Sequence, residues 1–298
     1  MADGNFYRRY LLSVGRNGGS GFRIGNINGP KEDALHVSFS VEKSDSESVN
    51  TAKIQVWNLS DANLRTLDTK DVIAELKAGY GETTALILVG NVTHVSTSPD
   101  GADRVTEIEV ADGRVALRDA NLSVSVSGKA DTKDLYGQIA SRMGMAITFA
   151  KDLSFATFPN GYSFVGKARN ALQRVADANG HKWTVQNGVI QITLPGRPVN
   201  TQGYLLNSDS GLISVPKRVL IHQSGSDDAL SGWEVEYFLN GAIGVNDVVR
   251  LESGTANGYY RVHKVTMDGD NMVGDWICAA QLLEIQAAPK LDKKAASA

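Results

Sequence analysis

Two acid pairs stand at a spacing that carboxylate chemistry can use. Glu107 and Glu109, like Glu234 and Glu236, are separated by one residue, which in a strand puts both acids on one face roughly 7 Å apart. That separation would suit a glycosidase pair. Alternation supplies a plainer account: Ile108 and Val235 face inward and the acids face water. The five histidines, His36, His94, His181, His222 and His263, lie far apart in or beside expected strands, with no H-x-H or H-x-x-x-H pair. A single cysteine, Cys278, excludes multi-thiolate zinc sites. Asp68 with Asp71, and Asp100 with Asp103, lack the ligand count of a calcium loop. GRNGGSG at 15–21 has no G-K-[ST] ending and leads into a strand, so no helix N-terminus meets a phosphate. There is no G-x-S-x-G elbow. The reading is therefore a non-enzyme with no catalytic residue, metal ligand or cofactor.

Composition narrows the classes further. The 298 residues carry a net charge of −3, with 42% hydrophobic and 21% charged residues. That is ordinary for a globular chain and advertises neither a nucleic-acid surface nor membrane binding. The one dense basic stretch, 289–294, reads as a solvated tail. Cys278 sits in an expected strand as a small core residue, and the lack of any possible intrachain disulfide fits a reducing cytosol. MADGN at the start lacks the charged and apolar regions of a secretory signal.

The elements that would position any site are mostly strands. YRRYLLSV at 7–14 and FRIGNI at 22–27 flank a glycine-rich turn in which Asn-Gly supplies positive φ. LHVSFSV at 35–41 puts Leu35, Val37, Phe39 and Val41 on one face. Strands are further expected at 52–56, 72–78, 85–93 and 104–110, with a helical turn at 63–67 and loops at 43–50 and 98–103. Near residue 130 the period changes. Leu135, Ile139 and Met143 form a helical stripe over 131–143, capped by Asp131 or Thr132 and ended by Gly144. A strand follows at 145–149. A second helix is expected from about Ser163 to Ala178, with Ala168, Leu172, Val175 and Ala176 inward and Asn179-Gly180 at its end. Residues 181–194 read as a hairpin about Asn187-Gly188. Strands return at 214–222, 233–239, 247–252, 259–266 and 276–285, with turns or loops at 224–228, 253–258 and 268–271. Residues from Ala287 are expected to fray.

The order of these segments resembles the hub proteins of phage tail baseplates, the late-control type, which are related to the spike base of type VI secretion. The likeness runs through Asn58 to Tyr80, GNVTHV at 90–95, and VADG at 110–113, where no residue separates Ala111 from Asp112 as the pattern would have it. It continues through the helix from Gly166 to Gly180, Ser210 to Pro216, Leu239 to Ser253, Gly258 to Asp270, and Gly274 to Trp276. The signature positions are Gly79, Tyr80, Asp112, Gly113, Gly211, Pro216, Asp247, Gly258, Gly274, Asp275 and Trp276. Each motif is a turn plus a strand, and the order along most of the chain carries the resemblance.

The resemblance implies a mainly β protein with a small α+β insert and two tail-tube-like antiparallel β-barrel or sandwich modules. The corresponding boundaries are 1–118 for the first module, 119–200 for the insert, 201–286 for the second module and 287–298 for the tail. Final strands are free to cross back and complete the first barrel. It implies a homotrimer at the centre of a baseplate, adapting a six-fold tail tube or distal tail protein above to a three-fold spike below. Tape measure and surrounding wedge proteins would be neighbours. DNA would pass without specific binding, and the chain would sit in the virion tail after assembly in the host cytoplasm. With no lysozyme-like insert or β-helix in the sequence, spike and hydrolase are expected to be separate chains. An alternative reading is a carbohydrate- or peptidoglycan-binding module presenting Tyr162, Phe164 and Trp183 to sugar.

Overall fold

A computed structural model describes residues 7–16, 19–27, 34–47, 49–200, 203–222 and 229–285. The expected Asn17-Gly18 turn, the 224–228 loop and the 287–298 tail lie outside the described residues. Among those described, β-structure dominates, with a small helical part.

Among the described residues the main sheet has thirteen strands in the order β16-β17-β20-β19-β3-β4-β7-β6-β5-β1-β2, with β18 branching from β19 and β15 pairing with β18. From the N-terminal half come β1 (Arg8–Arg16), β2 (Gly21–Gly25), β3 (Val37–Ser44), β4 (Thr51–Trp57), β5 (Val72–Tyr80), β6 (Thr83–Asp100) and β7 (Asp103–Ala111). From the C-terminal part come β15 (Gly203–Leu206), β16 (Lys217–His222), β17 (Ala229–Phe238), β18 (Val248–Glu252), β19 (Asn257–Asp270) and β20 (Trp276–Glu284). All neighbours are antiparallel except β15 and β18. The two halves are joined where β19 pairs with β3, Met267 opposite Val41. This is the crossing-back that the C-terminal strands were free to make.

Alternation sets the inner face. Val37, Phe39 and Val41 are buried, as are Ile54, Val56, Ile108 and Val110 from the adjacent strands. The sheet rolls on itself around this face. In strand order β3, β4, β7 and β6 separate β5 and β1 from β19 and β20, yet Tyr80 on β5 donates from its hydroxyl to the Trp276 carbonyl on β20 at 3.0 Å. Residues from both ends of the chain accordingly share one core, which includes Tyr10, Leu76, Ile108, Val235, Val265 and Leu282.

A second core belongs to the insert. Here α3 (Thr132–Met143) starts at Asp131, whose carboxylate accepts from the Lys133 amide at 2.8 Å, and ends at Gly144 with φ 67°. Leu135, Ile139 and Met143 are its buried stripe. The second helix, α4, spans Ala168–Asn179 and ends at Gly180 with φ 64°. Ala168, Leu172, Val175 and Ala176 are fully buried, as their period requires. Its start corrects the expectation of a helix from Ser163. Residues Tyr162–Lys167 instead form β12, an antiparallel partner of β8 (Asn121–Val126). Phe164 turns inward while Val165 is exposed, a period of two where the apolar content suggested a helix. The rest is β10 (Ala146–Phe149), parallel to β14 (Val189–Thr193), which pairs with β13 (Lys182–Gln186) through the Asn187-Gly188 turn. A short pair, β9 (Ala130–Asp131) and β11 (Thr157–Phe158), completes it.

Two further expectations are corrected. The 98–103 loop is a tight turn at Gly101-Ala102, because β6 and β7 continue as a long hairpin out to Asp100 and Asp103. The turn placed at 268–271 lies at 271–275, since β19 stays paired with β3 through Asp270. The helical turn at 63–67 is α1 (Asp61–Leu67), capped by Ser60. A further short helix, α2 (Arg114–Asp119), follows Gly113. No helix among the described residues is long and apolar enough to cross a membrane.

Candidate assembly site: the signature turns and the joint to the insert

Five signature residues meet at one seam of the rolled sheet. Besides the Tyr80 bond, the Trp276 indole N–H donates to the Gly79 carbonyl at 3.2 Å, so the end of β5 and the start of β20 are tied twice. A Cβ on Gly79 would lie 2.1 Å from the Thr83 carbonyl oxygen, which only glycine avoids. Arg8 of β1 reaches over the Trp276 ring at 5.8 Å and donates to the Asp270 and Gly274 carbonyls, at 2.5 and 2.8 Å. The Asp275 carbonyl accepts from the Asp270 amide at 2.9 Å and closes the β19–β20 turn. Burial pushes the Tyr80 hydroxyl up to about 12, keeping it a neutral donor.

Asp112 and Gly113 do a different task, at the joint between body and insert. Asp112 is fully buried and accepts from the amides of Asn187 and Gly188 at 2.5 and 2.8 Å, clamping the β13–β14 turn. Burial raises its pKa, opposed by those amides and by Lys43. Lys43 Nζ donates to Asn187 Oδ1 at 2.6 Å. Asn50 donates to the Val185 carbonyl and to Gln186 Oε1, and Gln186 returns a bond to the Ser44 carbonyl. Gly113 has φ 66°, and a Cβ there would come within 3.0 Å of Val185.

Beside this joint lies a buried charge cluster that sequence reasoning missed. Arg261 Nη1 donates to Asp45 Oδ2 at 2.5 Å and to Asn246 Oδ1 at 2.7 Å. His263 Nδ1 lies 2.8 Å and Lys182 Nζ 3.3 Å from Asp45 Oδ1. Burial pushes the Asp45 carboxyl up, but His263, Arg261 and Lys182 outweigh it and hold it well below the usual carboxylate range. Strands β13 and β19 and the turn after β3 thus converge on one carboxylate.

The other signature residues sit apart from the seam, in turns or strands of the C-terminal part. Half-buried Asp247 accepts from the Gly244 amide at 2.8 Å just before β18. Gly211, at φ 106°, accepts from the Phe238 amide through its carbonyl. Pro216 is buried ahead of β16, and Gly258 pairs with Leu251.

The candidate chemistry does not assemble. Glu107 is bound by Lys53 at 2.8 Å and Gln55 at 3.2 Å, and the Lys53 contact lowers its pKa, opposite to what a general acid needs. Asp100 accepts from the Trp57 indole and Asp103 from Asn58. His36 stacks on Trp57 with ring centroids 3.9 Å apart and meets Asp270 at 2.9 Å. His181 is buried against the Tyr136 hydroxyl at 3.1 Å. His94 is exposed on β6 and His222 ends β16. Cys278 is a buried core thiol whose pKa burial raises to about 12. The aromatic platform for sugar is also absent: Trp183 and Phe164 are buried, and Tyr162 stacks on Phe158.

No protein-family model and no curated protein matches the sequence. Solved structures do match in fold. A tail protein from Neisseria meningitidis aligns with TM-score 0.59 at 10% identity, covering 92% of this chain and 96% of its own. The 43 kDa tail protein of prophage MuSo2 from Shewanella oneidensis aligns with TM-score 0.59 at 9% identity, over 93% and 98%. An Escherichia coli component of the type VI secretion system, described as similar in structure to bacteriophage T4 tail proteins, aligns with TM-score 0.57 at 9% identity, over 84% and 73%. The chain thus has the fold of phage tail proteins and of a type VI secretion component.

Proposed function

We propose that this chain is a structural component of a phage-type tail and serves as its central baseplate hub. The observation that carries this reading is the end-to-end fold match, in which nearly the whole chain superposes on nearly the whole of two tail proteins. The fold supports a wall-building role physically, since strands from both halves enter one rolled sheet and share one core.

In this proposal three chains form a closed ring. Each contributes two tube-like modules, from 1–118 and 201–286, so that six modules face a six-fold tube or distal tail protein while the trimer faces a three-fold spike. Closure requires head-to-tail contacts that return on themselves. Residues 119–200 face the surrounding wedge proteins, and the tape measure and DNA pass through the centre of the ring in the virion tail. The chain catalyses no reaction in this role.

Light scattering of the purified chain across a concentration series tests the assembly. The expected result is a mass near three times 31.9 kDa. A monomer that stays monomeric when mixed with its tube and spike neighbours would sink the hub reading.

A further inference from the structure

We propose that the groove between β8 and α3 binds an extended segment of another protein, which adds as a third strand to the β8–β12 ribbon and carries an acidic side chain at the Arg142 end. The Ala168 amide donates to the Ala120 carbonyl at 2.9 Å, one step before the Asn121–Lys167 pair of that ladder. Bonded pairs alternate along an antiparallel ladder. Leu122, Val124 and Val126 therefore turn their backbone groups toward β12, and Asn121, Ser123 and Ser125 turn theirs away. Arg142 confirms the direction, donating from Nε to the outward Asn121 carbonyl at 2.7 Å. No strand among the described residues pairs with this outer edge.

The space beside the edge is open. A groove of about 970 Å³ runs between β8 and α3, with Leu122, Val124 and Phe149 among its apolar lining. Gly137 lies in this lining at the middle of α3, and a Cβ built on it would meet nothing within 4 Å. Glycine weakens a helix interior, and here it leaves room for a second backbone. Charge orients the occupant. Lys133 sits over the Phe149 and Phe155 rings with Asp134 beside it, so that end is balanced, whereas Arg142 is exposed at the other. Strand addition draws affinity from main-chain hydrogen bonds and specificity from alternate side chains. The inference stands independently of the trimer, because every residue in it belongs to one chain.

Amide hydrogen exchange on the full chain tests it, using a short synthetic peptide of alternating Val and Thr with Glu at each end. In the free chain the Ser123 and Ser125 amides exchange freely while Leu122 and Val124 are protected. Peptide should slow Ser123 and Ser125 by about tenfold or more, with a Kd on the order of 10–100 μM. The same peptide with Lys in place of Glu should bind more weakly. Ser123→Pro removes an outward donor and should abolish binding. Gly137→Leu, which fills the groove and leaves the β8 edge intact, should do the same in a chain with an undiminished melting temperature. Protection of Ser123 and Ser125 in the free chain, no change at about 1 mM peptide, or undiminished binding by Gly137→Leu would each overturn the proposal.

Discussion

At Asp45 one buried carboxylate meets Arg261, His263 and Lys182. Removing one partner of such a group leaves the others desolvated and uncompensated. Asp45→Ala should therefore cost about 3–5 kcal/mol, read as a lower urea midpoint. The pH sign follows from the depressed folded-state pKa. The stabilisation is full above the unfolded value and is lost as pH falls below it, so Asp45→Asn should flatten the acid side of the stability profile. Lys43 gives a slope of the same sign, through burial of its charged form. Burial, partly opposed by Asp112, lowers its pKa from 10.5 to about 8. Between those values the unfolded chain binds the extra proton, so stability rises with pH across that window. In Lys43→Met that rise should disappear from denaturation curves taken across the same range. None of this was legible in the sequence, because Arg261 and Asp45 are 216 positions apart and nothing local marks either as buried.

Periodicity and capping decided which elements could be read in advance. The stripes of α3 and α4 are long and end in glycines at positive φ, which strains most residues that carry a Cβ. Gly180→Ala should cost about 1–2 kcal/mol, measured by thermal melting. Backbone strain alone accounts for that cost, since a Cβ there meets no atom within 4 Å. The elements that escaped notice are short or ambiguous. Helix α2 has six residues, and the Ser-rich β8 gives only a faint alternation. The sequence of β12 suggests the start of a helix because Phe164 and Val165 precede a true helical stripe. Only pairing with β8 fixes their period at two. The signature turns at Gly79, Gly274 and Trp276 were visible as residues, but that they form one seam is a property of the rolled sheet.

The described residues form two apolar cores, and hydrogen-bonded polar side chains link them. Such a joint should let the cores open as separate cooperative units. Hydrogen exchange should then show amides of α3 and α4 opening apart from those of β3. Asp112→Ala should speed the insert's exchange more than that of the sheet. The fold also dictates an order of events during synthesis. Contacts within 121–193 are near in sequence, so the insert can form as soon as it leaves the ribosome. Strand β3 instead waits for β19, more than two hundred residues later, before its second edge is covered. Pairings of such long separation form slowly and leave strand edges open to wrong partners. A nascent chain stalled before residue 257 would carry a finished insert on an unclosed sheet, the stage at which this protein most needs shielding from its own copies.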